Sequence, residues 1–247
     1  MTVPACPTEV GVDPAAPRPP IGFRLDLPDE FTSLDLDPAA SDASIERLLD
    51  DRTAAMPAAA RHRARARQVL QRVVAEHREA GVLLASCLAG AGPSPGEMVG
   101  ASLTLAWRRF AGGIDLTGLE TYFRDDDPEP GEDVATRDVR RVPLPYGEAV
   151  RVVNRQLTPL PLTSRRQEVV VVQHLLPAPD PAAQWLAVLT ASTPDLAGQD
   201  DFVGFAGRVA ATLEFLGPAG EVVPPQAPPK GTIGYGPGHD GADFSRR

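Results

Sequence analysis

Lysine is almost missing from this chain: Lys230 is the only one in 247 residues, and the other basic residues are arginines. Alanine and proline are abundant, so the arginines read as the codon bias of a GC-rich genome and call for no phosphate-binding explanation. Acidic residues outnumber basic ones, leaving a net charge of −9. That excludes a sequence-independent nucleic-acid binder, which needs positive charge to displace counterions, and docking on anionic membrane surfaces. Cysteine is scarce. Cys6 falls in an expected tail and Cys87 in an expected strand, so no disulfide is expected. No apolar run reaches the roughly 18 residues of a membrane span. Val3-Pro4-Ala5-Cys6 has the outline of a lipoprotein box, but no basic and apolar leader precedes it, so it does not read as a secretion signal and a cytoplasmic location is expected. A Walker loop, a dinucleotide fingerprint, a CxxC pair and an HExxH motif are all missing.

The chain is long enough for one full domain with a substantial core, or for two small ones. Residues 1–20 hold six prolines, and residues 217–247 hold six more with many glycines. Neither stretch has apolar periodicity, so both are expected to be disordered tails around a single domain over 21–216.

Within that domain, IGFRLDLP (21–28) alternates as a half-buried strand does, and FTSLDLD (31–37) extends it or pairs with it. Asp37-Pro38 opens a helix whose apolar stripe is Ile45, Leu48, Leu49 and Met56. A second helix is expected over about 58–80, with Val69, Leu70, Val73 and Val74 inward and Gly81 as its stop. VLLASCLA (82–89) and MVGASLTLAW (98–107) read as a hairpin, with Val99, Ala101, Leu103, Leu105 and Trp107 on one face and Ser102 and Thr104 on the other. Thr117 and Glu120 suit the capping box of a short helix. RDVRRVPL (137–144) and EAVRVVNRQL (148–157) form the next hairpin, and EVVVVQHLLP and QWLAVLTAST the last. Phe202, Phe205, Val209, Leu213 and Leu216 mark a C-terminal amphipathic helix. Consecutive strands with short turns imply an antiparallel sheet. The expected fold is therefore α+β: a mainly antiparallel β-sheet covered by helices on both faces, an α/β/α sandwich, with Pro/Gly-rich tails. The valines at 169–172 alternate faces and leave both apolar, so their strand is expected in the sheet interior with cover on both sides.

Few residues offer chemistry. His174 shares a strand face with Val170, Val172 and Leu176, while Gln173 lies on the other face. A general base needs an orienting carboxylate and a nucleophile; the partner strand brings only Thr190 and Ser192. His174 is thus expected to be a strand-end residue with a local hydrogen bond, where the covering layer thins. Gly92-Pro93-Ser94-Pro95-Gly96 fits the G-x-S-x-G pattern, but Pro95 lacks the N–H that an oxyanion hole requires and a strand follows where a helix should. Asp125, Asp127 and Glu129 begin with calcium-loop spacing, yet Pro130 and Thr136 stand where that loop needs glycine and glutamate. Arg61, His62, Arg63, Arg65 and Arg67 crowd a helix N-terminus, a poor place for positive charge; they read as solvated surface, with a protein-binding patch as the alternative, and their position hints at an acidic partner such as the 125–133 loop. No catalytic, cofactor-binding or metal-ligating residue is assigned.

IGFRLDLPDEFTSLDLDP, SIERLLDDR, EAGVLLASCLA, GASLTLAW and the closing FVGFAGRVAATLEFL, in that order, resemble uncharacterised actinobacterial proteins and the wider PsbP and Mog-type α/β/α sandwich fold. The resemblance covers about 21–216 and rests on pattern and order, so no binding residue transfers with it. It implies a non-catalytic binding or accessory protein that acts through protein–protein contacts, secretion-associated in some relatives, with another protein as partner, no nucleic acid and no membrane insertion. Two alternatives stay open: small-molecule or lipid binding in a pocket between sheet and helices, and a hydrolase site assembled from His174, Asp195 and Ser192.

Overall fold

The structure is a computed structural model that describes residues 22–55, 57–91, 98–109, 115–125, 134–159, 165–179 and 185–224. Most of the two expected tails, the Ser94 turn and most of the acidic 125–133 loop lie outside the described residues.

Alternating apolar stretches become long antiparallel strands. β3 (Val82–Ala91) and β4 (Met98–Arg109) pair as expected, as do β5 (Val134–Leu144) with β6 (Gly147–Pro159) and β7 (Arg166–Pro177) with β8 (Trp185–Thr193). With the short β2 (Thr32–Leu34) they form a seven-stranded sheet in the order β2-β3-β4-β8-β7-β6-β5, antiparallel throughout. The β5–β6 turn closes at Gly147, whose φ of 141° only glycine adopts without strain.

One expectation at each end of the domain is corrected. β2 pairs with β3, while the strand before it, β1 (Gly22–Arg24), leaves the main sheet and joins β9 (Glu214–Leu216) in a two-stranded sheet. The C-terminal helix, α4 (Gln199–Ala211), is correspondingly shorter than its apolar stripe suggested. Leu213 follows it, and Leu216 belongs to β9. The described residues run on past β9 to 224. Val223 donates its N–H to the Phe215 carbonyl at 2.9 Å, and the Tyr146 hydroxyl donates to the Val223 carbonyl at 2.5 Å. Burial pushes the Tyr146 phenol up to about 12.

Helices cover both sheet faces. α4 lies on one, setting Phe202, Val203 and Ala206 over Val170, Val172, Val153 and Ala191, and Val209 and Ala210 over Leu103, Leu105, Leu176 and Leu189. The other face carries three helices. α1 (Ser41–Ala55) and α2 (Arg63–Glu79) bring Ile45, Leu48, Leu49 and Val74 onto Leu34, Val82, Ala85 and Ala106. At the far end α3 (Leu116–Asp125) brings Leu119 and Phe123 onto Val139, Val150, Val152, Leu175 and Val188. Val169 to Val172 are all buried on an interior strand, as their unbroken run requires. Each such side chain stabilises the fold by about 1.5–3 kcal/mol.

Caps explain the helix starts. The Asp37 carboxylate accepts from the Ala39 N–H at 2.8 Å and its carbonyl from the Ser41 N–H at 2.8 Å, so the turn at 37–40 leads into α1. α3 is capped by Asp115, which accepts from Thr117 and Gly118, and the expected Thr117–Glu120 box is not used: Arg141 donates to Thr117 Oγ1 and to Glu120. Gly81, at φ 69°, ends α2. The basic cluster before α2 finds its acidic partner on α1: Arg63 pairs with Glu46 at 2.5 Å and Asp50 at 2.8 Å, and Arg67 with Glu46 at 3.1 Å.

Candidate functional site

The side chains of β7 alternate, so Val170, Val172, His174 and Leu176 face α4, and Val169, Val171, Gln173 and Leu175 face the three-helix side. Pairing then fixes the neighbours. On the three-helix side Gln173 stands opposite Thr190 of β8, and Thr190 opposite Thr104 of β4. One pleat along, Asn154 of β6 meets Val171, Val171 meets Ser192, and Ser192 meets Ser102. The result is a strip of uncharged polar side chains across four interior strands.

An interior sheet face covered by helices is expected to be apolar. This one is not. The strip lies between two apolar clusters, one under α1 and α2 and one under α3, and Val169 and Val171 belong to neither. Gln173 is 5% exposed, Thr104 6% and Thr190 8%, so all three are enclosed between the sheet and its covering helices. The Asn154 Oδ1 atom is buried without a partner among the described residues. The two serines satisfy each other, Oγ to Oγ at 2.7 Å. A buried polar group left unpaired costs about 1–3 kcal/mol, whereas an apolar group of the same shape costs nothing comparable. An apolar side chain in place of Asn154 would serve stability better, and a row of polar groups in a covered interior face is suited to another task. Its amide and hydroxyl groups offer donors and acceptors without charge. They can bind and orient a polar ligand.

His174 is corrected in two respects. It is 1% exposed and lies in mid-strand under α4 between Val172 and Leu176, far more enclosed than a strand end. Its Nδ1 has no hydrogen-bond partner among the described residues. Burial, and secondarily the nearby Arg151 guanidinium, lower its pKa to about 4, so it is neutral in the folded protein at neutral pH. The register sets it opposite Leu189 and Arg151, and Thr190 and Ser192 point to the other face of the sheet. Asp195 is engaged elsewhere, its Oδ1 accepting from the Ala197 and Gly198 N–H groups at 3.1 Å just ahead of α4. The fold therefore does not assemble His174, Ser192 and Asp195 into one site.

Among the described residues no group of three or more His, Cys, Asp or Glu side chains is placed to hold a metal ion, and no helix is long and apolar enough to cross a membrane. Cys87 is a free thiol on the three-helix face, opposite Ser102, and burial raises its pKa. Comparison of the chain with models of protein families gives no match, and comparison with curated proteins gives none either.

The strip had a signal in the sequence. Hydroxyls alternate at Ser102 and Thr104 and again at Ser192 and Thr190, and Gln173 interrupts the apolar run. Each reads locally as one polar position on a strand. Only the register turns them into a single surface.

Proposed function

We propose that this is a non-catalytic binding protein whose site is the polar strip on the three-helix face, and that its ligand is a small, uncharged molecule rich in amide and hydroxyl groups. The observation that carries the reading is the row Thr104–Thr190–Gln173: three buried polar side chains, adjacent across three strands of a helix-covered sheet face, with the unpartnered Asn154 Oδ1 one pleat away. A ligand that pairs with them recovers the cost of burying them. Specificity would be high, since an analogue lacking the matching group leaves buried polar atoms unpaired.

Binding of another protein draws less support. The exposed large apolar side chains among the described residues are Tyr122, Leu157 and Val222, which sit on α3, on β6 and beyond β9. A partner-binding surface gathers such residues into one patch. The layered sheet is in keeping with the resemblance to PsbP and Mog-type sandwiches, and a cytoplasmic location remains part of the proposal.

The test is a titration of isotope-labelled protein with N-acetylglucosamine, which joins an amide to several hydroxyls and carries no charge, with glucose and N-methylacetamide alongside. Saturable shifts at the Gln173 side-chain amide and at Thr104 and Thr190 are expected, and Gln173→Leu should remove them. No saturable response to any of the three would refute the proposal.

A further inference from the structure

On the opposite face, under α4, lies a second set of unsatisfied groups. His174 and Arg151 are direct cross-strand neighbours on β7 and β6. The imidazole is buried with Nδ1 unpartnered, and the Nε of Arg151 is likewise buried with no hydrogen-bond partner among the described residues. The Arg151 side chain is 22% exposed, so it runs from His174 out to the surface. Its one ion pair is long, Nη2 to Asp138 Oδ2 at 3.8 Å, and Asp138 is already held by Arg140 Nε at 2.8 Å. Farther along the same face of β6, Arg155 repeats the pattern, with a buried unpartnered Nε and a 3.5 Å approach to Glu168.

We propose that Arg151 and His174 together form a binding site for the carboxylate group of a small ligand. The guanidinium offers Nε–H and one Nη–H in a planar fork that matches a carboxylate, and a neutral imidazole protonated at Nδ1 supplies a third donor. One carboxylate has lone pairs enough for all three. A carboxylate fits better than phosphate here because the neighbouring Asp138 already balances one arginine, so a second negative charge on the ligand would face repulsion. The arrangement also accounts for a histidine inside a valine-rich strand, where leucine would pack without an orphan nitrogen. The site is on the other face of the sheet from the polar strip, and the two readings stand or fall separately.

The experiment titrates the full chain, labelled on arginine and histidine nitrogens, with sodium acetate against sodium chloride at constant ionic strength. The expected result is a saturable shift of the Arg151 Nε–H and of the His174 ring nitrogens. Arg151→Lys keeps the charge and loses the fork, so it should weaken acetate binding about tenfold or more, the factor for one charge-assisted hydrogen bond. His174→Leu should stabilise the fold while weakening acetate binding. A linear, non-saturating acetate response overturns the proposal. So does tighter binding of inorganic phosphate than of acetate, or an Arg151→Lys variant that binds acetate as well as the natural protein.

Discussion

Acid should unfold this protein through two histidines. His77 on the inner face of α2 and His174 under α4 are both buried, and burial lowers each to about 4 from the 6.5 of a free imidazole. The folded state therefore holds both rings neutral at a pH where the unfolded chain already binds protons. Stability is complete above about pH 6.5, falls as the pH drops through the interval from 6.5 to 4, and levels off with respect to these groups below 4. Each ring withdraws on the order of 2–3 kcal/mol, so the pair removes a large part of the roughly 5–15 kcal/mol that holds a domain together. The assay is urea unfolding followed by circular dichroism at a series of pH values from 8 to 4. His77→Leu and His174→Leu should each remove about half of the slope. If stability is flat between pH 6.5 and 4.5, or the double variant keeps the slope of the natural protein, the rings are solvated or charged in the folded state and the reasoning fails.

Two further outcomes follow from the packing. Phe215 is fully buried, its ring 5.5 Å from Trp107 and 4.7 Å from Tyr146, so Phe215→Ala should cost about 3–5 kcal/mol in equilibrium unfolding; Phe205 is only half-buried and stacks on Phe31 at 5.6 Å, so Phe205→Ala should cost distinctly less. Ending the chain after Leu216 removes the Val223 hydrogen bonds to Phe215 and Tyr146 and should cost about 1–3 kcal/mol, whereas a chain ending after Pro224 should keep that stability; equal melting of the two truncated forms would show that the 217–223 turn contributes nothing.

Local pattern made the long strands and the main helices legible. Period-two alternation marked the three hairpins, and four valines in a row required an interior strand covered on both faces. Long-range pairing was not legible. β1 and β9 are three residues each and meet across almost the whole domain, with Gly22 opposite Leu216; nothing near either segment signals the other. The helix stripe that ran to Leu216 was in truth a helix followed by a short strand, because apolar residues at 213, 215 and 216 satisfy both periods. The sequence pointed to Thr117 as the cap of α3, and the turn geometry gives that place to Asp115, two positions earlier. For His174, alternation gave the right face-mates on its own strand. It could not give the register against β8, and a one-residue slip exchanges the faces of Thr190 and Ser192. That slip separates a loose hydrolase-like trio from a buried, neutral imidazole beside an arginine. The same register aligns Thr104, Thr190 and Gln173, a surface that no single strand displays.

The central claim is that this strip sacrifices stability in order to bind. Gln173→Leu tests it without any ligand in hand. Urea unfolding of the variant at neutral pH should give a stability equal to that of the natural protein or higher by about 1–2 kcal/mol, since an enclosed polar amide is exchanged for an apolar group of similar length. A loss of more than about 2 kcal/mol would mean that the Gln173 amide is already satisfied within the fold, and that the strip is a structural network with no site on it.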